Sequence, residues 1–107
     1  MTEIANTPNP PYFAVIFSSK RSNLEQGYAA MSEKMIGLAR TQPGFLGVEM
    51  AREEVGITVS YWTDLESIKN WKQNVDHQEA QRLGREKWYS SYKLRIAKVE
   101  RDYGFEY

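Results

Sequence analysis

The sequence predicts an α+β domain of the ferredoxin-like type, β-α-β-β-α-β, in which a four-stranded antiparallel sheet carries two helices on one face. Three observations lead there. Runs rich in aromatic and β-branched residues alternate with runs whose apolar residues recur every three or four positions. Two of the strand-like runs are separated only by the polar, Gly-ended Glu53-Glu54-Val55-Gly56, which suits an antiparallel hairpin. The first strand is apolar on both faces, so one layer of helices cannot cover all of its side chains.

The opening residues 1–11, with Thr7-Pro8-Asn9-Pro10-Pro11, read as a loose arm. Residues 12–107 then form a single domain. Tyr12–Ser18 (YFAVIFS) is the first strand, with Tyr12, Ala14 and Ile16 on one face and Phe13, Val15 and Phe17 on the other. Ser22-Asn23-Leu24-Glu25 fits a capping box, and Leu24, Tyr28, Met31, Met35 and Leu38 follow as the stripe of a half-buried helix. Pro43-Gly44 stops that helix. Phe45–Arg52 and Ile57–Thr63 are the two hairpin strands.

Asp64 is a natural N-cap for a second helix with the stripe Leu65, Ile68, Trp71 and Val75. Asp76-His77-Gln78-Glu79 resembles another capping box, which predicts a break near Asn74–Asp76 and a new helix to about Trp88. Tyr92 to about Tyr103 closes the chain as a long strand. Its apolar positions change parity between Ile96 and Val99, which predicts a bulge or a change of partner.

Fourteen basic residues balance fourteen acidic ones, so no net field draws in nucleic acid or an anionic membrane. The clusters Arg82, Arg85, Lys87 and Lys93, Arg95, Lys98, Arg101 are interrupted by Glu86 and Glu100 and read as solvated faces. With no cysteine there are no disulfides, thiolate metal sites or cysteine nucleophiles. No apolar run approaches the roughly 20 residues of a membrane span. The first residues lack the basic and apolar regions of a secretory signal. A cytoplasmic location without nucleic-acid or membrane partners is the expectation. The uncovered strand face predicts a homodimer, sheet against sheet about a two-fold axis.

Candidate chemistry centres on the single histidine and on the aromatic residues. As the first residue of a new helix, His77 would share a face with Gly84 and Trp88, flanked by Ala80 and Gln81. It serves there either as a pocket base or as a cap at a helix break. Trp62, Trp71 and Trp88 with Tyr61 and Tyr89 are either core packing or the lining of a cavity for a flat aromatic ligand. Arg95, on the last strand, faces either a substrate oxygen or solvent. One histidine without a carboxylate pair is a poor metal site, so no metal is expected. PGFLG (Pro43–Gly47) is a turn into a strand, not a phosphate loop.

The combination PGFLGVE (Pro43–Glu49), SYW-D-E-I--W (Ser60–Trp71) and DH--A---G---WY--Y-LR (Asp76–Arg95) resembles the antibiotic biosynthesis monooxygenase family, over about Tyr12–Tyr103. The resemblance implies a dimeric α/β barrel. It also implies a cofactor-independent monooxygenase acting on a small aromatic or polycyclic phenol or quinol, with His77 and Trp71 as catalytic candidates. Trp62, Trp88, Tyr89 and Arg95 are the substrate-binding candidates. Some relatives degrade haem with an Asn-Trp-His set. Trp71 matches its Trp, but FAVIFSS (Phe13–Ser19) lacks the Asn and His77 comes too early in the chain, which argues against haem chemistry. A non-catalytic ligand-binding or stress-related barrel protein is the alternative.

Overall fold

The computed structural model describes residues 3–77 and 87–106, with Asp76 and His77 described by their backbone alone. Six elements follow in order: β1 (Tyr12–Arg21), α1 (Tyr28–Arg40), β2 (Phe45–Arg52), β3 (Val55–Trp62), α2 (Leu65–His77) and β4 (Tyr89–Val99). The strands form one antiparallel sheet in the order β2-β3-β1-β4, the ferredoxin-like arrangement predicted from the element pattern.

Register sorts the side chains between two faces, because residues paired across antiparallel strands point the same way. Phe13, Val15 and Phe17 pair with Trp62, Ser60 and Thr58 of β3, and with Lys98, Ile96 and Leu94 of β4. This is the helix-covered face. Val15 and Trp62 pack there with Ala39 of α1 and Ile68 of α2, and Phe13, Phe45 and Trp71 close around them. Trp62 is fully buried, its ring edge-on to Phe45 at 5.4 Å and stacked with Trp71 at 6.1 Å.

The opposite face carries Tyr12, Ala14 and Ile16 with their β3 partners, and the chain covers one end of it itself. Tyr12 and Ala14 are both buried. The Thr7 hydroxyl donates to the Tyr12 Oη (3.0 Å), which in turn donates to Asp102 (2.5 Å). The Ala5 amide and the Tyr61 hydroxyl both donate to the Glu49 carboxylate, at 2.9 and 2.7 Å. Tyr61 edges onto Tyr12, and burial together with the Glu49 charge pushes its phenol well above the ordinary tyrosine range. Towards the hairpin the face is open, with Ile57 45% exposed.

Two strand bounds move, since β1 runs on to Arg21 rather than Ser18, and β3 spans Val55–Trp62 rather than Ile57–Thr63, so that only Glu53-Glu54 connect the hairpin. Four further local expectations are corrected. The capping box at Ser22 does not form. α1 starts instead after Gly27, in the left-handed region at φ 82°, with no side-chain cap. The reason is tertiary, because Ser22 donates to the Lys87 carbonyl and Arg21 donates to the Trp88 and Leu24 carbonyls, which ties 21–25 to the start of β4. Second, α2 does not break at Asn74–Asp76 but runs on to His77, so His77 ends the described helix rather than opening a new one. The expected helix between there and Trp88 falls mostly outside the described residues. Third, β4 starts at Tyr89, three residues earlier than expected, and stops at Val99. Fourth, pairing is regular from Ile96 to Val99. The parity change reflects Val99 lying opposite buried Tyr12, while Ile96 lies opposite Val15 on the other face. The irregularity is at the far end, where Lys20 faces Ser91 and Arg21 faces Tyr89.

Asp64 caps α2 as expected, its carboxylate accepting from the Ser67 amide at 2.7 Å. That bond holds the Asp64 carboxyl below its ordinary value. The turn into β2 rests on Gly44 at φ 85°, whose carbonyl accepts from the Thr63 amide (2.9 Å).

Candidate active site

A cleft of about 240 Å³ lies between the helix-covered face of the sheet and the two helices. α1 lines it with Tyr28, Met31, Met35 and Ala39, and α2 with Ile68, Trp71 and Val75. Its floor is Val15 and Phe17 of β1, Val48 and Met50 of β2, Thr58 and Ser60 of β3, and Tyr92, Leu94 and Ile96 of β4. The two methionines give the α1 wall an adaptable surface. Leu94 and Ile96 are 37% and 50% exposed, so the cleft is open along β4 as described.

The sequence candidates separate into those at the cleft and those away from it. Trp71 lines the cleft while its ring rests on Trp62. Trp88 lines it from just before β4 and is itself buried, its indole N–H donating to the Gln26 carbonyl at 3.0 Å. Tyr89 follows, half-buried, edge-on to Phe17 at 5.4 Å. Trp62 is not on the lining but in the core beside it, with its indole N–H donating to the Ser60 hydroxyl at 2.9 Å. Arg95 pairs with Ile16 and so lies on the opposite face of the sheet from the cleft. The backbone of His77 is the last residue of α2, three residues beyond Asn74, and its side chain lies outside what is described.

Several polar residues at or beside the cleft were missing from the sequence candidates, among them Tyr28, Ser19 and Arg52. Tyr28 was legible only as part of the α1 stripe. Its hydroxyl accepts from Tyr89 Oη at 3.3 Å, and the Arg21 guanidinium covers its ring 3.4 Å from the centroid. Ser19, at 3% exposure, is a buried polar residue in the middle of the sheet. Its hydroxyl accepts from Arg52 Nη2 at 2.6 Å. Arg52 also lines the cleft, and no sequence motif marks it. Burial, with help from Tyr28, pushes the Tyr89 phenol far above its ordinary value. At neutral pH Tyr89 is therefore a hydrogen-bond donor and not a base.

The arrangement suits a flat apolar molecule held against aromatic rings, with phenol, hydroxyl and guanidinium groups for its polar edge. Among the described residues no group of three His, Cys, Asp or Glu side chains is placed to hold a metal ion. Nor is any described helix long and apolar enough to cross a membrane.

Comparison with known proteins bears on the fold and the family. The chain is 49% identical over 108 residues to the uncharacterized protein YqjZ of Bacillus subtilis (strain 168), covering 99% of this chain and 95% of that one. The fold is similar to the crystal structure of PA3566 from Pseudomonas aeruginosa, with TM-score 0.61, 16% identity, and coverage of 90% of this chain and 99% of that one. It is also similar to a conserved protein from Methanosarcina mazei Go1, with TM-score 0.66, 13% identity, and coverage of 86% and 94%. Residues 11–83 match the family described as antibiotic biosynthesis monooxygenase, which spans β1 to α2 and most of the cleft. The chain belongs to the antibiotic biosynthesis monooxygenase family.

Proposed function

We propose that this protein is a cofactor-independent monooxygenase acting on a small aromatic or polycyclic phenol or quinol. The observation that supports it best is the cleft itself, apolar and walled by Trp71, Trp88 and Tyr89, in a chain of this family. On an anthrone-type substrate the ring CH2 first gives a proton to a base. The resulting carbanion passes its electrons to O2, one oxygen atom stays on carbon as the new carbonyl, and the other leaves as water. The protein has to hold the substrate, exclude water and accept the proton. His77 is the residue we propose as acceptor, Trp71 as the ring beside the reacting carbon, and Trp88 and Tyr89 as substrate contacts.

Purified protein without added cofactor is expected to consume oxygen with an anthrone-type compound. His77→Ala should slow the reaction by about a hundredfold or more, the usual contribution of a positioned base. Oxygen uptake equal to the buffer blank across a panel of phenols and quinols would overturn the catalytic reading.

One observation favours a second reading, a non-catalytic small-ligand-binding protein. The described titratable groups on the cleft are cationic or phenolic, and Tyr89 is held protonated. They bind a ligand without offering it a base. A ligand that co-purifies and is not turned over would select this reading.

We further propose a cytoplasmic homodimer, with the open part of the second sheet face packed on its copy. Exposed Ile57 and Ala97, and Arg95 beside them, would lie in that interface. Light scattering on a size-exclusion column tests it directly, and a monomer at micromolar concentration contradicts it.

A further inference from the structure

Three neighbouring residues across the sheet meet at one end of the cleft. Gly56 of β3 pairs with Ser19 of β1 on one side and with Arg52 of β2 on the other. Because position 56 carries no side chain, the Arg52 guanidinium lies across it to reach Ser19. A Cβ at 56 would stand 2.1 Å from Arg52 Cζ. The guanidinium is thereby fixed on Ser19, Nη2 donating to its hydroxyl at 2.6 Å and Nη1 to its carbonyl at 3.5 Å, which uses two of its five N–H groups. Its charge acts on Tyr89, whose hydroxyl donates to Tyr28 and leaves the Tyr28 proton free to be donated. Of the other cations nearby, Arg21 is engaged by Glu25 (3.4 Å) and the Tyr28 ring, and Lys72 lines the cleft from α2, on the opposite wall from the sheet. Among the described residues lining the cleft there is no carboxylate, and none pairs with Arg52.

An apolar cleft that ends in an anchored guanidinium with no described carboxylate against it, and in one phenol proton free to be donated, is complementary to an anion. We infer that the Arg52–Ser19–Gly56 end of the cleft is an anion subsite, taking the carboxylate or phenolate oxygen of a flat aromatic ligand whose rings occupy the apolar part. This rests on the aromatic-ligand reading above and adds to it the charge and orientation of the ligand. Arg52 is the specificity-determining contact, and Ser19 and Gly56 are positioning residues.

The test uses a matched pair of probes, 2-naphthoate and 2-naphthalenemethanol, with binding to the full chain measured by calorimetry at pH 7.5. The ring system is the same, so a difference in affinity reports the polar end. The carboxylate is expected to bind about tenfold tighter or more, the size of one charge-assisted contact. Arg52→Met should bring the two affinities to within about twofold while leaving that of the alcohol unchanged. Gly56→Ala, which pushes the guanidinium off Ser19, should reduce the preference in the same direction. If either variant loses its folded circular-dichroism spectrum, Ser19→Ala provides the same readout. Equal affinities in the wild type, or a preference that survives Arg52→Met, overturn the anion subsite alone. Failure of both probes to bind the wild type overturns the aromatic-cleft reading and the subsite with it.

Discussion

Replacing Trp62 by Phe separates a core role from a ligand-contact role. Trp62 is 0% exposed, stacks on Trp71, meets Phe45 edge-on and donates its indole N–H to Ser60. The smaller ring loses roughly 1 kcal/mol of transfer free energy. It leaves a cavity of about 40 Å³, worth about 1 kcal/mol at 24 cal/mol per Å³. It also removes a hydrogen bond worth about 1 kcal/mol. Partial collapse of the site reduces the total, so the expected destabilisation is about 2–3 kcal/mol. For a domain of this size that lowers Tm by at least about 10 °C. Urea unfolding gives the free energy and a thermal melt gives Tm, both followed by far-UV circular dichroism without depending on the altered fluorophore. Protein concentration is held fixed, because self-association couples to stability. A Tm within about 2 °C of wild type, together with altered affinity for 2-naphthalenemethanol, would refute the core placement and return Trp62 to the cleft.

Gly44→Ala should cost about 2 kcal/mol or more in the same unfolding assay. It forces a side chain into the left-handed region, with its Cβ 2.1 Å from Ser67 Oγ. The Asp64 cap gives a pH signature. Its carboxyl titrates below 3.8 in the folded state, so the stabilisation is complete above about pH 4 and is lost as pH falls through the lower folded value. The Tm gap between wild type and Asp64→Ala should therefore be full at pH 7 and narrow below pH 3.8, and a gap constant down to pH 2 would contradict the cap. Tyr12→Phe removes the hydroxyl shared by Thr7 and Asp102 and should cost about 1–2 kcal/mol. It should also speed amide exchange at residues 5–7, and unchanged exchange there would contradict the pinning of the arm.

What could be read from the chain alone were the features that neighbouring residues decide. The β2 bounds, the presence of a hairpin after Arg52, the Gly44 turn and the Asp64 cap each rest on residues a few positions apart. Element order then left the ferredoxin-like sheet as the arrangement, since short connections and antiparallel pairing admit few others. Trp71, Trp88 and Tyr89, singled out from the chain alone, line the cleft.

Tertiary structure decided the rest, wherever the deciding contact is distant in sequence or hangs on register. Ser22 to Glu25 look like the entrance to a helix, yet Ser22 donates to Lys87 and the neighbouring Arg21 to Trp88, more than 60 residues away, and α1 begins at Tyr28 instead. Arg95 and Ile96 are adjacent in the chain, but a strand turns successive side chains to opposite faces, so only pairing with β1 shows that Ile96 meets the cleft and Arg95 does not. Trp62 and Trp71 look alike as aromatic residues, and only packing sets one in the core and the other on the cleft wall. Arg52, Ser19 and Gly56 carry no common motif. They lie on three strands, and their meeting is a consequence of sheet register alone.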